Sequence, residues 1–259
     1  MNGLNLDLTE EQTQIRDTVR DFAASELAPQ AAARDESQEF PLEAFKKMGQ
    51  LGLLGIPFPE DLGGAGADAL SYILAVEEVA KVCASTALGL AAHTSLGTWP
   101  IYAFGTDAQK KKYVPKLASG EWIGSYGLTE PGAGSDSGGT QTAAVDKGDH
   151  WIVNGTKTFI TNATHASSYV CAVRTDTGAG RGRGISAMVV ERGFPGFSPG
   201  KKESKLGMRS SDTAQIHFTD CKVPKDALLG ELHNGFLCFM KTLDGGRISI
   251  GALALGIAQ

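Results

Sequence analysis

The sequence predicts an α+β protein in three zones: an all-helical N-terminal domain over residues 1–121, an antiparallel β-barrel-like middle domain over 122–231, and the first helix of a further helical domain over 232–259. Three observations predict it. Up to about Gly120 apolar residues recur at the 3.6-residue spacing of helices buried on one face. From about Trp122 to Gly230 the period falls to two, in short β-rich runs separated by glycine-rich breaks. After "LLGELHNG" the helical spacing returns. Strands and helices do not alternate, which argues against a doubly wound nucleotide-binding fold.

In the first zone, Thr9 and Gln12 form a capping box, each side chain able to satisfy a free backbone N–H at a helix start. Ile15, Val19 and Phe22 then mark one helical face, and Leu42, Phe45 and Met48 repeat the spacing after Pro41, which suits a first-turn position. "LSYILAVEEVAKVCAS" reads as one buried helix interrupted by Glu77 and Glu78. "DAQKKKYVPKLASG" reads as a helix with Asp107 as N-cap, ended or kinked by Pro115. In the second zone "HWIVNGTKTFITN" places Asn154-Gly155 between two β-rich runs, a hairpin signal. "SYVCAVRTD", "GISAMVVER" and "TAQIHFTDCKVP" follow as strands; in the last, Ala214, Ile216 and Phe218 alternate with polar residues. The final run, "FLCFMKTLDGGRISIGALALGIAQ", stops without a Gly or Asn cap, a closing basic turn or a partner helix. A lone apolar helix cannot bury its face unaided, so the chain is expected to be cut inside a third helical zone. The competing reading is a short terminal helix packed on the first zone.

Composition narrows the function classes. Hydrophobic residues at 42% and charged residues at 20% allow a sizeable core. A net charge of −5 disfavours nucleic acid or an anionic membrane as partner, since either wants a concentrated basic face. "KKESK" (residues 201–205) and "RGR" (181–183) are read as solvated loops. Cys83, Cys171, Cys221 and Cys238 are widely spaced, and no His cluster has metal-ligand spacing, so no metal is expected. They read as buried free thiols in a reducing compartment. "MNGLNLDLTEEQ" holds no apolar signal region, and "ISIGALALGIA" is too short to span a membrane. The protein is read as cytoplasmic.

The stretch "YGLTEPGAGSDSGG" (residues 126–139) packs more small polar groups into one loop than a turn needs. Gly132 and Gly134 let the backbone approach a ligand, successive N–H groups can form an anion nest, and Thr129 and Ser135 add hydroxyls. Tyr126 and Leu128 precede the turn at strand spacing and point to one side. Phe159 and Thr161 of "FIT", two apart, share a face. An apolar floor with hydroxyls at its edge suits a flavin. Taken alone, a hairpin or bulge accounts for the Gly-Ser loop as well. Asp244 and Arg247 of "DGGR" share a helix face at i and i+3, which a surface ion pair also explains.

The combination resembles the acyl-CoA dehydrogenase family, most closely its short-chain, butyryl-type members. "LTEPGAGSD" is similar to that family's first signature, and "FITN" stands where the family usually has Trp-Ile-Thr. "GKKESKLGMRSSDTAQIHFTDCKVPKDALLG" is similar to the stretch closing its β domain, and "GFLCFMKTLDGGRISIGALALGIAQ" to its first C-terminal helix. The likeness runs from "LTEEQ" to "LGIAQ".

The resemblance implies FAD along the β domain, touching Tyr126, Leu128, Thr129, Gly134 and Ser135, with Phe159, Ile160 and Thr161 flanking the ring. The hydroxyl matching Thr161 would hydrogen-bond the flavin near N5. Phe159 departs from the family's commoner Trp, keeping the apolar face and losing the indole N–H. The acyl-CoA thioester would meet Ser135, Phe236 and the segment Asp244, Gly245, Gly246 and Arg247; His93 in "AAHTSLG" lies in the region that walls the acyl cavity. In this family a Glu takes the α proton while a hydride passes from the β carbon to the flavin, whose electrons go on to electron-transferring flavoprotein. Some branches carry that Glu where this chain has Gly246; short-chain members carry it far downstream, so no catalytic base is expected within these 259 residues and the chain alone is expected to be inactive. Glu130 is a motif carboxylate with no base role. The full-length form is expected to be a homotetramer or dimer. An acyl-CoA oxidase or flavin monooxygenase of the same fold, or a non-catalytic flavin- or nucleotide-binding product, are the alternatives.

Overall fold

A computed structural model describes residues 7–259; residues 1–6, part of the stretch read as free of a signal region, lie outside it. The helical zone comprises α1 (Glu10–Phe22), α2 (Ala31–Ser37), α3 (Leu42–Gln50), α4 (Ala69–Val82), α5 (Ala84–Ala91), α6 (Trp99–Phe104) and α7 (Asp107–Ala118). The Thr9–Gln12 capping box opens α1, and Val19 and Phe22 bury its apolar face. The acidic interruption in α4 is paired rather than solvated. Buried Glu78 receives Arg20 of α1 at 3.0 Å and Lys81 at 2.9 Å. The run expected as one helix breaks at Cys83, whose extended backbone separates α4 from α5. Two segments, Ala23–Leu27 and Ala92–Thr98, coil as wider π-helix.

Two expectations for α7 are corrected. Its N-cap is Thr106, not Asp107: the Thr106 hydroxyl accepts from the Gln109 N–H at 3.2 Å, and the Gln109 side chain accepts from the Thr106 N–H at 2.9 Å. A Thr three residues before a Gln completes the reciprocal pair that Asp107 could not. Pro115 neither ends nor breaks the helix, which runs on to Ala118. Its carbonyl still accepts from the Ser119 N–H at 3.0 Å, so near the last turn the ring removes one donor and little else.

The middle zone is one eight-stranded sheet among the described residues: β1 (Gly124–Gly127), β2 (Ala143–Asp146), β3 (His150–Thr161), β4 (Ser168–Arg174), β5 (Ile185–Glu191), β6 (Phe197–Lys202), β7 (Thr213–Pro224) and β8 (Leu228–Leu229). Its order, β6-β7-β3-β2-β4-β5-β8 with β1 against β4, has two ends, so the sheet is open and not a barrel. Nor is it wholly antiparallel, since β1 runs parallel to β4. Parallel neighbours need a crossover, and here the loop after β1 and the β2–β3 hairpin supply it in place of a helix. The hairpin turns at Lys147, Gly148 and Asp149, where the Lys147 N–H reaches the His150 carbonyl at 2.9 Å. Asn154-Gly155 is instead a bulge inside β3. Gly155 sits at φ +150°, where a Cβ would lie 2.5 Å from the Thr142 hydroxyl, and Asn154 accepts the Asp220 N–H at 2.8 Å. Close approach of Thr142, not chain reversal, is what this glycine permits.

The last helix, α8 (Gly235–Ala258), packs along α4. A Cβ on Gly256 would lie 2.4 Å from the Glu77 carbonyl, so only glycine allows this contact. Ile248, Leu255 and Ile257 stay exposed. All four cysteines are buried and free, as expected. Of the charged runs, residues 201–205 are more tied down than a solvated loop, Lys202 reaching the Gln38 carbonyl and Lys205 the Ser211 carbonyl, while residues 181–183 form an exposed turn in which Arg181 pairs with Asp136. No helix among the described residues is long and apolar enough to cross a membrane.

Candidate active site

The helical zone meets the sheet where the π-helical segment lies against β1, and the meeting is close because both sides are small. A Cβ on Gly97 would lie 2.5 Å from the Gly124 carbonyl carbon. Beside this seam opens a cleft of about 330 Å³, lined by Ala92 and Leu96 from the π-helix, Tyr126 and Leu128 from β1 and its exit, Thr129, Gly134, Ser135 and Ser137 from the loop, Phe159, Ile160 and Thr161 from β3, and Leu243 from α8. All eight residues expected at a flavin therefore share one cavity. Ala92, Leu96, Ser137 and Leu243 were not foreseen; apolar residues in a helical pattern read as core.

The strand-spacing argument for Phe159 and Thr161 is corrected even though both reach the cleft. The β3–β7 register shifts between Lys157 and Ile160, and Phe159 takes a left-handed φ of +58° that leaves it 67% exposed. A bulge, not simple alternation, presents its ring. A bulky residue held at positive φ with its ring uncovered is strained, and such strain collects at ligand sites. Immediately after Thr161, buried Asn162, also at positive φ, donates its side-chain amide to the carbonyls of Gly89 (3.1 Å) and Gly124 (3.3 Å). The end of β3 is thus fastened to both α5 and β1. Tyr126 donates its hydroxyl to the Phe239 carbonyl of α8 at 3.2 Å, and burial pushes its pKa up, so it stays a neutral donor.

The loop is held from beneath. Glu130 accepts from the N–H groups of Gln141 (2.7 Å) and Thr142 (2.9 Å) and from the Lys157 ammonium (2.7 Å). Burial alone would raise its pKa, but Lys157 and the two N–H groups outweigh it and hold the carboxyl below the usual range. Every oxygen of Glu130 is occupied, which fits a structural carboxylate and no base. At the loop's far end Arg174 donates to the carbonyls of Thr140 (2.6 Å), Arg183 (2.9 Å) and Gly138 (3.0 Å).

A second cavity, about 300 Å³ and almost wholly apolar, adjoins the first through shared Ala92, Leu96, Thr161 and Leu243; Leu88, Ala91, Ser95, Gly246, Arg247 and Ile250 complete it. Gly246 and Arg247 thus stand in its wall, while Gly245 lines a separate cavity with Tyr72 and Trp99 on the other side of α8. Asp244 is exposed and pairs with Arg247 at 2.6 Å. Phe236 lies at the start of α8 against Gly182, outside both cavities. His93, expected in the region that walls the acyl cavity, lines neither cavity. It is wholly buried, accepting the Gly124 N–H on Nδ1 at 3.0 Å and donating from Nε2 to the Leu117 carbonyl at 3.1 Å. Burial pulls its pKa down to about 4, which keeps it neutral and in that tautomer. No Asp or Glu lines either cavity, and no group of His, Cys, Asp and Glu among the described residues has a metal-holding arrangement.

The cleft offers what a flavin needs: an aliphatic floor, an uncovered aromatic ring, and four hydroxyl side chains (Thr129, Ser135, Ser137, Thr161) at its rim. Comparisons with known proteins agree. Residues 9–121 match the acyl-CoA dehydrogenase N-terminal domain, and residues 125–221 the acyl-CoA dehydrogenase middle domain. The short-chain specific acyl-CoA dehydrogenase of Clostridium acetobutylicum is 53% identical over 256 residues, covering 99% of this chain and 67% of that one. The butyryl-CoA dehydrogenase structure from Megasphaera elsdenii superposes with a TM-score of 0.96 at 44% identity, over 98% of this chain and 67% of that one. A chain in a solved structure of the electron transferring flavoprotein of Acidaminococcus fermentans matches at 49% identity with a TM-score of 0.96, over the same shares. The chain spans about two thirds of these relatives' length. With both family domains in order along it and a relative matched at 53% identity over 99% of this chain, the chain belongs to the acyl-CoA dehydrogenase family and is similar to its short-chain members.

Proposed function

We propose that this chain holds FAD and a short-chain acyl-CoA thioester and forms the cofactor- and substrate-binding part of an enzyme that desaturates the thioester to the trans-2-enoyl form, with electron-transferring flavoprotein as acceptor. The observation that carries the reading is the shared cleft: Tyr126, Leu128, Thr129, Gly134, Ser135, Phe159, Ile160 and Thr161, drawn from two separated stretches, line one cavity. Bound there, FAD supplies the two-electron oxidant that takes the β hydride. The chain's own residues do the rest. Phe159, Leu128 and Ile160 give the ring an apolar seat and exclude water, and the Thr161 hydroxyl stands at the edge to donate a hydrogen bond. The adjoining apolar cavity receives the acyl chain, while Arg247, Asp244 and the glycines between them border the path of the CoA moiety with Ser135 and Phe236. The domain division at 121/122 and 231/232 belongs to the same reading, as do a cytoplasmic location and a homotetramer or dimer for the whole protein.

The α proton needs a base, and neither cavity has a carboxylate in its wall. The reading assigns that base to a Glu outside these residues. Titrating the purified chain with FAD and then butyryl-CoA tests both parts. Quenching of flavin fluorescence and a perturbed visible spectrum on adding the thioester are expected, without bleaching. Absence of flavin binding would overturn the site; turnover with an electron acceptor would overturn the assignment of the base.

A further inference from the structure

The ion pair beneath the Gly-Ser loop is costly to bury, and nothing in the chemistry above uses it. Lys157 is fully buried and Glu130 is 5% exposed. Pairs of this kind rarely add net stability compared with apolar residues of similar size, because desolvating both charges offsets their attraction. Their best-attested use is to specify one arrangement among several. The partners here show which arrangement. The Lys157 ammonium donates to the Leu128 carbonyl at 3.2 Å and to Glu130 at 2.7 Å, and Glu130 in turn accepts the Gln141 and Thr142 N–H groups. One side chain on β3 therefore fixes the loop where it leaves β1 and, through Glu130, where it approaches β2. The segment between these anchors carries Thr129, Gly134, Ser135 and Ser137, the polar rim of the cleft. Within it Gly132 and Gly134 meet no neighbouring atom that a Cβ would touch, and Arg174 holds only its far end, at the carbonyls of Gly138 and Thr140. Two residues beyond Lys157 on the same strand stands Phe159, in the bulge that begins after Lys157. The Thr158 N–H between them bonds the Thr129 carbonyl at 2.8 Å, so the loop and the bulge are also joined directly.

We propose that Lys157 is a positioning residue for the flavin site: through Glu130 it sets the shape of residues 128–142 before any ligand arrives, so that the loop's hydroxyls and N–H groups need no ordering on binding. The proposal rests on the flavin reading of the cleft, but its first consequence does not. Lys157 lines neither of the two adjoining cavities; its effect passes through the loop. Preordering of a glycine-rich loop raises affinity by removing the ordering cost from the binding step.

The test uses the chain as it is, with Lys157→Met, and with Lys157→Met/Glu130→Gln to leave no unpaired charge buried should the single variant fold poorly. Amide hydrogen exchange of the ligand-free proteins is read in the peptide covering residues 129–142 and, as control, in β4 and β5. FAD dissociation constants come from fluorescence quenching, and unfolding midpoints from thermal melts. In the double variant the unfolding midpoint is expected near that of the parent, with exchange in residues 129–142 raised about tenfold, unchanged exchange in β4 and β5, and FAD affinity lowered by about tenfold. A purely structural pair would lower the midpoint and leave the affinity of the folded protein alone. Unchanged exchange in the loop of a folded variant overturns the proposal. Should the parent chain bind no FAD, the flavin reading fails, and the exchange result still decides whether Lys157 orders the loop.

Discussion

Phe159 and His93 show how single residues in this molecule answer to the site or to the fold. Phe159 combines a left-handed backbone with an uncovered ring. Replacing it with glycine removes the Cβ conflict and sacrifices little burial, so Phe159→Gly is expected to stabilise the ligand-free chain by about 0.5–1 kcal/mol in denaturant unfolding while weakening FAD binding. Loss of stability together with unchanged affinity would show that the ring serves packing instead. The motif around Phe159 was legible in the sequence; its backbone strain was not, because a bulge depends on the register of a partner strand more than 50 residues away. His93 is the opposite case, a polar residue whose sequence context pointed toward the cavity and whose structure points into the core. Its pKa of about 4 lies below the ordinary histidine value of about 6.5. The folded state therefore prefers the neutral ring: its contribution is complete above about pH 6.5 and is lost as pH falls toward 4, by up to about 3 kcal/mol. His93→Gln keeps a donor and an acceptor without the titration. Melts between pH 7 and 4.5 should show a shallower loss for the variant than for the parent; parallel curves would refute the assignment.

Among elements, local features were read more accurately than long-range ones, and the reason is physical. The Thr9–Gln12 box and the Val19/Phe22 face are local, so the sequence window that encodes them also contains their partners. Strand direction and sheet closure are decided by residues far apart, and so the parallel β1–β4 pair and the open edges escaped the period-two pattern. Asn154-Gly155 has the right residues for a tight turn, but the chain already turns at Gly148, which sits at φ +90°. Two of the loops share a side chain that no pattern marks. Arg174, the last residue of β4, divides its guanidinium among three carbonyls from two loops, residues 138–140 and 183. A lysine cannot present that fork. Arg174→Lys is expected to lower stability by about 1–2 kcal/mol, discounted for partial exposure, and to make residues 176–184 the first site of limited proteolysis. An unchanged cleavage pattern would mean that the glycine-rich loop is held by other contacts.

At the scale of the whole molecule, the cleft exists only because two zones of different architecture touch. Its walls come from the π-helix, from β1 and β3, and from α8, so the sequence could supply the list of residues but not the seam that unites them. The seam is set by glycine: on Gly97 a Cβ would meet the backbone of Gly124 at 2.5 Å and of Ser125 at 2.7 Å. Neither neighbour is a flexible side-chain end, so the strain cannot relax locally and the helical zone must shift as a body. Gly97→Ala is therefore expected to lower the unfolding midpoint and the FAD affinity together, the first by the equivalent of about 1–3 kcal/mol. Gly251, on the open side of α8 with nothing within reach of a Cβ, is the control. There alanine should stabilise by about 0.5–1 kcal/mol through helix propensity alone and leave the affinity as it was. If Gly97→Ala weakened the fold yet bound FAD as tightly as the parent, the cleft would have to belong to the sheet alone, and the helical zone would have no part in holding the ligand.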